Sequence, residues 1–524
     1  MKSIKSFILP LALIAIFQLS NGSLLAQGFG TVVGTVTDTT GSVVPGVKVT
    51  VTDQGTKVAR SVNANEQGYF VIPALHPSTY DVTAAAPGFA TFSQNNVTLL
   101  ADQSLTVDFQ MKVGQATETV TVETNALQVN TSSSTISQVV EEKRIVDLPL
   151  NGRNPVTLAL LVPGTVQAPN DGADQGQYKT IPVAITVSAN GSRANQTGFN
   201  LDGSSNNDIY TNVNQPFPFP DALQEFSVQT ANYTARYGGN SGAVVNAITK
   251  SGTNAFHGDL FEFVRNRVFN AANYFGYTNG VKTVDSLKRN QFGGVIGGPI
   301  YRNHTFFFFG YQQTQIRNAQ NGNSALVPTA ANLNGDFSSL CSAFNAAGLC
   351  TTGTQLFHPN QPTNPYIRNQ IPKTTYDPAA VLFATKYLPT SPLPTGQVLY
   401  AIPLSQTFNE YMGRLDQVLT QKDRLFLRYY LFKYQNNPFL PNNNYIATVS
   451  QAIIYSQNAI IGETHVFSPN LLNDVRLSLG VILSVTDDFE DQLAGMPEDD
   501  PRAAYVGVYQ WLAALQDSLV GALS

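Results

Sequence analysis

The sequence is poor in charge, cysteine, histidine and tryptophan, and each shortage narrows what the chain can do. Charged residues are 12% of the 524, and 30 Lys and Arg against 35 Asp and Glu leave a formal net charge of −5. With no basic surplus to neutralise phosphates, nucleic acid is not an expected partner. The five histidines, His76, His257, His304, His358 and His465, are scattered, with no H-E-x-x-H and no pair at metal-ligand spacing. Asp202, Asn206, Asn207 and Asp208 offer oxygens, but not the glycine and glutamate that an EF-hand needs at set positions. No metal site is therefore expected. No nucleophile–base pair, phosphate-cradling loop or paired-carboxylate constellation stands out. No catalytic or cofactor-binding residue is assigned, no cofactor is expected, and the chain is not read as an enzyme. Beyond the N-terminus no stretch holds ~18 uninterrupted apolar residues. A membrane-embedded form would have to be a barrel, since only helices and closed barrels satisfy every backbone group in lipid.

What is abundant points to β-structure. Aromatics reach 10%, and glycine and asparagine are frequent. Disorder would need few aromatics and a high net charge. The length implies two or three domains. Residues 1–26 read as a signal peptide: Lys2 and Lys5, a mostly apolar stretch over 7–19, and Leu24-Leu25-Ala26 as the cleavage site before Gln27. An exported chain meets an oxidising compartment, so Cys341 and Cys350 form a candidate disulfide, with free thiols as the alternative.

Residues 28–112 read as a small β-sandwich. Strand signals lie at 31–38, 47–52, 67–72, 80–84 and 104–109, separated by glycine and proline turns. In the second, Val47, Val49 and Val51 face one way and Lys48, Thr50 and Thr52 the other. Gly34-Thr35-Val36-Thr37-Asp38, Pro45-Gly46-Val47, Gly68-Tyr69-Phe70 and Ala86-Pro87-Gly88-Phe89 carry a resemblance to the carboxypeptidase regulatory-like domain. That resemblance implies a transthyretin-like, carbohydrate-binding-like fold without peptidase activity. It leaves open a structural or docking module and a sugar-binding one.

Residues 136–253 read as a mixed α/β unit, with a short helix over 139–145 and a second short apolar element over 158–161, closed by Pro163-Gly164. Several motifs follow in one order. They are Asp147-Leu148-Pro149-Leu150-Asn151-Gly152-Arg153-Asn154, Leu161-Val162-Pro163-Gly164, Asn190-Gly191-Ser192-Arg193, Asn200-Leu201-Asp202-Gly203 and Tyr237-Gly238-Gly239-Asn240-Ser241-Gly242. The last continues into Thr249-Lys250-Ser251-Gly252-Thr253-Asn254 and His257-Gly258. The set resembles the plug of TonB-dependent receptors in the version found in Oar-like proteins. Arg236 departs from it, since the family usually has an acidic residue there. Residues 113–135 form a connector. Its segment Glu118, Thr119, Val120, Thr121 and Val122 resembles a TonB box, which engages the energy-transducing protein by strand addition. The alternatives are a plain linker and a last sandwich strand.

Residues 254–485 read as the N-terminal part of an antiparallel transmembrane β-barrel. Phe306, Phe307, Phe308 and Phe309 in a row suit lipid outside and protein inside. In the hairpin at 411–434, Leu425, Leu427, Tyr429 and Leu431 make one apolar face, opposite Arg424, Phe426, Arg428 and Tyr430. Short turns at 420–423 and 468–470 contrast with one long connection over 317–405, the habit of barrels with short periplasmic turns and long external loops. The alternative is a soluble sandwich. About seven strand candidates follow the plug, against the about 22 that receptors of this family close. Residues 486–524 are an atypical tail, helical in pattern over 503–523. The expectation is a truncated or frame-shifted product that does not insert or transport by itself.

The fold class expected is thus mainly β: signal peptide, β-sandwich, mixed α/β plug and partial barrel. The resemblance implies ligand uptake across the outer membrane of a Gram-negative-type bacterium. It implies as partners a TonB-type energy-transducing protein, outer-membrane lipid and an unidentified ligand (siderophore, oligosaccharide or peptide). The alternative is a non-transporting envelope adhesin or carbohydrate-binding surface protein.

Overall fold

The computed structural model describes residues 28–487, apart from 115–118, 124–134, 169–183, 194, 210, 234–236, 238, 273, 275–276, 279–280, 283–285, 440, 442–443, 450 and 470. The signal peptide, Glu118 and, but for its first two residues, the tail lie outside the described residues.

Alternating β-branched residues build the first unit. Its strands are β1 (Gly30–Asp38), β2 (Lys48–Asp53), β3 (Ala59–Asn63), β4 (Tyr69–Leu75), β5 (Ser78–Ala85), β6 (Thr91–Leu99), β7 (Ser104–Thr106), β8 (Phe109–Met111) and β9 (Thr119–Glu123). One sheet has the order β4-β1-β7, with β8 also on β1, and the other β3-β2-β5-β6-β9. Val32 and Val36 of β1 meet Val49 and Val51 of β2 and Val82 of β5 in a closed core. Phe109 fills its centre, stacked on Phe70 at 5.8 Å and edge-on to Phe92 at 5.3 Å. Gly34 is required by close approach: a Cβ there would lie 1.9 Å from the Val107 carbonyl oxygen. β9 adds in parallel to β6, from Thr91 opposite Thr119 to Asn95 opposite Glu123, so the sheet runs past residue 112.

The second unit contains β10 (Ile136–Glu141), β11 (Thr165–Gln167), β12 (Val187–Ala189), β13 (Gly198–Leu201), β14 (Ser204–Ser205), β15 (Leu223–Ala231) and β16 (Val244–Thr249). Its main sheet has the order β10-β15-β16-β13-β14. The helix expected over 139–145 begins only at Glu142 and runs Glu142–Asp147. Val139 and Val140 pair instead with Ser227 and Phe226 of β15. Two β-branched residues with a ladder to join stay extended, and the charged run Glu142-Lys143-Arg144 makes the helical turn. The second apolar element is a 3₁₀ helix, Pro155–Leu161, capped by the Asn154 side chain on the Val156 amide.

The remainder is a wall of long antiparallel strands: β17 (His257–Asn266), β20 (Lys288–Tyr301), β21 (Thr305–Leu326), β26 (Gln397–Val418), β27 (Asp423–Asn436), β28 (Gln451–Ser468) and β29 (Leu471–Asp487). Each pairs with the next in chain order. Small hairpins decorate the loop end: β18 (Tyr277–Thr278) with β19 (Val281–Lys282), β22 (Cys341–Phe344) with β23 (Cys350–Gly353), and β24 (Phe357–His358) with β25 (Gln361–Pro365). The long connection is shorter than expected, 327–396 rather than 317–405. The β21–β26 ladder continues through polar pairs such as Arg317 with Ser405 as far as Leu326 with Gln397. Hydropathy marks where lipid ends, whereas backbone pairing does not stop there.

Alternation is clearest in β27. Phe426, Arg428, Tyr430, Phe432 and Tyr434 of β27 point inward and are buried, while Leu427 and Tyr429 point outward and are exposed. The outward face carries Leu415, Ile461, Leu477, Leu479 and Leu483 as well. A contiguous apolar belt of this kind calls for a non-aqueous surrounding. The phenylalanine run obeys the same rule: Phe306 and Phe308 are buried and Phe309 is exposed. Among the described residues β17 and β29 end the sheet, and no barrel is closed.

Phe109→Ala removes the central ring of the sandwich and should cost about 3–5 kcal/mol. Hydrogen exchange of the full chain should show lost protection in β1 and β4 with the wall unaffected.

Candidate functional site

The residues with the most chemistry lie where the second unit, called the plug after the resemblance its motifs carry, meets the inner face of the wall. The turn from β13 to β14 supplies Asp202 and Gly203, both at positive φ (48° and 83°). That geometry suits an Asp-Gly pair and turns the Asp202 carboxylate toward the wall. Its Oδ1 accepts from the Thr249 amide at 2.9 Å and from Arg414 Nη1 at 3.3 Å. Its Oδ2 accepts from Arg428 Nε at 3.0 Å. Arg476 Nη1 donates to the Asp202 carbonyl oxygen at 3.0 Å.

Three wall strands, β26, β27 and β29, therefore send an arginine to one plug turn. Each arginine has further partners. Arg414 is bidentate with Asp416, at 2.9 and 2.8 Å. Arg428 Nη1 donates to the Asn458 side-chain oxygen at 2.7 Å, and its Nη2 to the Leu201 carbonyl at 3.2 Å. Arg476 pairs with Asp474 at 2.8 Å. Three carboxylates thus balance three guanidinium groups. Burial is nearly complete for Arg428 and Asp202, whose side chains are 0% and 3% exposed. Such a cluster adds little net stability relative to apolar packing but is costly to break from one side, so it fixes a single register.

A second contact forms around the plug turn Asn151-Gly152-Arg153. Arg153, at φ 55°, pairs with Asp221 of the plug. It also donates to Gln312 Oε1 at 3.2 Å and lies 4.7 and 4.1 Å over the rings of Phe261 and Phe263. Asn151 Oδ1 accepts from Arg265 and from Arg289, each at 3.1 Å. Gln312 Nε2 in turn donates to Glu410 at 3.0 Å, and Tyr430 OH lies 2.9 Å from the other Glu410 oxygen. The apolar part of this seam is small. On the plug side it consists of Phe219 and Ala222, set against Phe308, Met412 and Tyr430 among others.

The sandwich covers the short-turn end of both. Ala101 N donates to Glu225 Oε2 of β15 at 2.9 Å, and Tyr237 OH donates to Asp102 Oδ2 at 2.9 Å. Phe29 and Ala74 pack against Val466 and Leu472 of the wall. Arg60 holds the Pro73 and Ala74 carbonyls at 2.8 and 3.0 Å, and burial lowers its pKa to about 9. Burial, together with Arg424, Arg414, Arg60 and Arg476, holds His76 well below the usual imidazole range. Between the three units lies a cleft of ≈ 1160 Å³ lined by Asp53, His76, Glu141, Lys250, Asp416 and Arg424 among others.

The structure places the residues singled out in sequence as follows. Thr119, Val120, Thr121 and Val122 form the outer strand of a sandwich sheet, and among the described residues β9 pairs with β6 alone. Cys341 and Cys350 are bonded to each other, Cα–Cα 5.7 Å, in the long connection. The two sets lie in different units and share no site. The motif residues Asn151, Arg153, Asp202 and Thr249, which the sequence does not mark as a site, all reach the wall. The available signal was Arg428, set on a β27 face that continues through Phe426, Tyr430, Phe432 and Tyr434.

Residues 248–507 match the family model of the outer membrane beta barrel domain, and residues 31–112 that of the carboxypeptidase regulatory-like domain. The TonB-dependent transporter Oar of Myxococcus xanthus is 27% identical over 322 residues, 57% of this chain and 28% of that protein. The chain therefore spans well under half the length of that curated relative. Among solved structures, the outer membrane transporter YddB from Escherichia coli aligns with TM-score 0.39 and 9% identity, over 67% of this chain and 40% of that one. The siderophore receptor PiuA from Acinetobacter baumannii aligns with TM-score 0.35 and 13% identity, over 67% and 46%. A mutant of the ferric enterobactin receptor PfeA from Pseudomonas aeruginosa aligns with TM-score 0.35 and 12% identity, over 66% and 46%.

Two outcomes follow from the seam and the dock. Arg153→Met leaves Asp221 buried without its cation and should cost about 3–5 kcal/mol, with Arg153→Met/Asp221→Asn recovering part of it. Chemical unfolding of the two variants measures this. The second concerns Glu225, which burial first, then Asp102 and Glu141, raise from 4.5 to about 8 against the Ala101 hydrogen bond. A docked state with a raised carboxyl pKa binds an extra proton. Glu225's contribution to docking is therefore full below about pH 4.5 and is lost as the pH passes about 8. Exchange protection of the Ala101 amide, corrected for the intrinsic rate, should fall more over that window in wild type than in Glu225→Gln.

Proposed function

We propose that this chain, a homologue of the TonB-dependent transporters with an outer-membrane β-barrel domain, supplies the sandwich, the plug and, among the described residues, seven wall strands of a receptor that admits a bound ligand across the outer membrane. The observation that carries this reading is the polar seam. Asp202 fastens the plug to the wall through Arg414 and Arg428, and Arg153, charge-paired to Asp221 within the plug, reaches the wall through Gln312 and the rings of Phe261 and Phe263. A polar seam of this kind can exchange its bonds for water and re-form, whereas a dry apolar interface gains nothing from water. It suits a stopper that must shift.

The partner at the periplasmic face is a TonB-type energy-transducing protein, and its docking edge is β9. A strand with one neighbour has a free row of backbone donors and acceptors, and a second chain adds there by main-chain pairing. Pulling on β9 would act on the sandwich sheet, which rests on plug and wall together. The ligand is expected at the opposite end, among the long loops, as a siderophore, oligosaccharide or peptide. The reading needs no covalent step.

Single cysteines at positions 119 to 123, each paired with a cysteine-bearing carboxy-terminal domain of the transducer, test this in whole cells. Disulfide cross-links should appear at every position in a register that advances one partner residue per step. Absence of cross-links at all five positions, with the receptor present in the outer membrane, would remove the transducer from the account and leave an adhesin.

A further inference from the structure

At the short-turn end of the wall, on its outward side, three side chains outside the seam converge. Asp423 stands opposite His465 in the β27–β28 ladder, and Glu463 is two residues earlier on the same face of β28. One ligand atom from each of Asp423, Glu463 and His465 lies within 4.8 Å of the other two. Asp423 Oδ1 contacts His465 Nδ1, while Thr420 Oγ1 donates to Asp423 Oδ2 and fixes the carboxylate plane. The imidazole is steadied by Phe467, ring centroids 4.2 Å apart. Among the described residues the Glu463 carboxylate has no hydrogen-bond or ion-pair partner.

Charge decides what this arrangement lacks. An imidazole that carries a proton compensates Asp423, on which Lys422 also acts from the neighbouring position, and leaves Glu463 without a direct partner among the described residues. A divalent cation cancels both and takes the imidazole as a neutral ligand. We propose that Asp423, Glu463 and His465 form a divalent transition-metal site, of the kind that takes zinc, with water completing the coordination. One imidazole nitrogen with two carboxylates is a ligand set for zinc or its neighbours, whereas calcium and magnesium prefer all-oxygen shells. The rigid ladder holds the ligands in place without a dedicated loop. Thr420 is the outer partner that orients a ligating carboxylate, a feature that metal sites usually need.

The site also has a structural consequence. It ties the first residue of β27 to the end of β28. The next residue, Val466, donates its amide to Lys422 at 3.0 Å and packs under Phe29 of the sandwich. Metal binding would stiffen the rim on which the sandwich rests.

The test is zinc alone, titrated calorimetrically into the metal-stripped full chain in detergent micelles. Wild type should take up one zinc ion per chain at this site. Glu463→Gln and His465→Ala should each weaken that binding by at least about tenfold, and Thr420→Ala by a smaller factor. Zinc should also raise the thermal unfolding midpoint of wild type and not that of Glu463→Gln. The glutamine variant removes an unpaired charge and so should fold; if it does not, Asp423→Asn and His465→Ala give the same reading. No stoichiometric uptake by wild type, or uptake unchanged in these variants, would show a plain aspartate–histidine pair and overturn the proposal.

Discussion

A carboxylate with almost no access to water must be paired, and the pairing of Asp202 organises this molecule. Its two oxygens take Arg414 and Arg428 from neighbouring wall strands, and its carbonyl takes Arg476. Those strands must be in register for the guanidinium groups to meet at one point, and the plug must present its Asp-Gly turn there. The plug's position and the wall's register are thus set by one buried cluster. Such a cluster specifies position more than it adds net stability. The wall's own stability comes from elsewhere, from uninterrupted backbone ladders and from lipid on the outward face.

Local patterns were readable in sequence and long-range pairings were not. Val49, Val51 and Val82 announce the sandwich core by alternation, and all three are buried. Leu427 and Tyr429 against Phe426 and Arg428 announce the two faces of β27. β6 was missed because its middle, Ser93-Gln94-Asn95-Asn96, is polar and bulged, with Asn96 at φ 59° and a register shift on β5. β3 was missed because Arg60 interrupts it, and only the structure shows that the guanidinium ends on two carbonyls. Val139 and Val140 run straight into Glu141-Glu142-Lys143-Arg144, so the sequence alone suits one short helix over the whole stretch. Their β15 partners lie far along the chain.

The candidate site shows the same division. The motif residues Asn151, Arg153 and Asp202 stood out as a family pattern, yet nothing local told what they touch. Asp202 and Arg428 are 226 residues apart. Thr119 to Val122 were open between a box, a linker and a last strand. Among the described residues they form a strand with one neighbour, β6, a form in which the box and last-strand readings are compatible. The sandwich touches both the plug, through Glu225 and Tyr237, and the wall, through Val466.

The central claim is that charge pairing across the seam, rather than general packing, places the plug. A double-mutant cycle of Asp202→Asn with Arg428→Met, read from exchange protection of the β13 and β16 amides, tests it most directly. The account predicts a coupling energy at the upper end of the range for contacting residues, roughly 2–3 kcal/mol, because either change alone strands a buried charge. Losses that simply add would mean that the two residues act independently, and the seam would then be a by-product of packing.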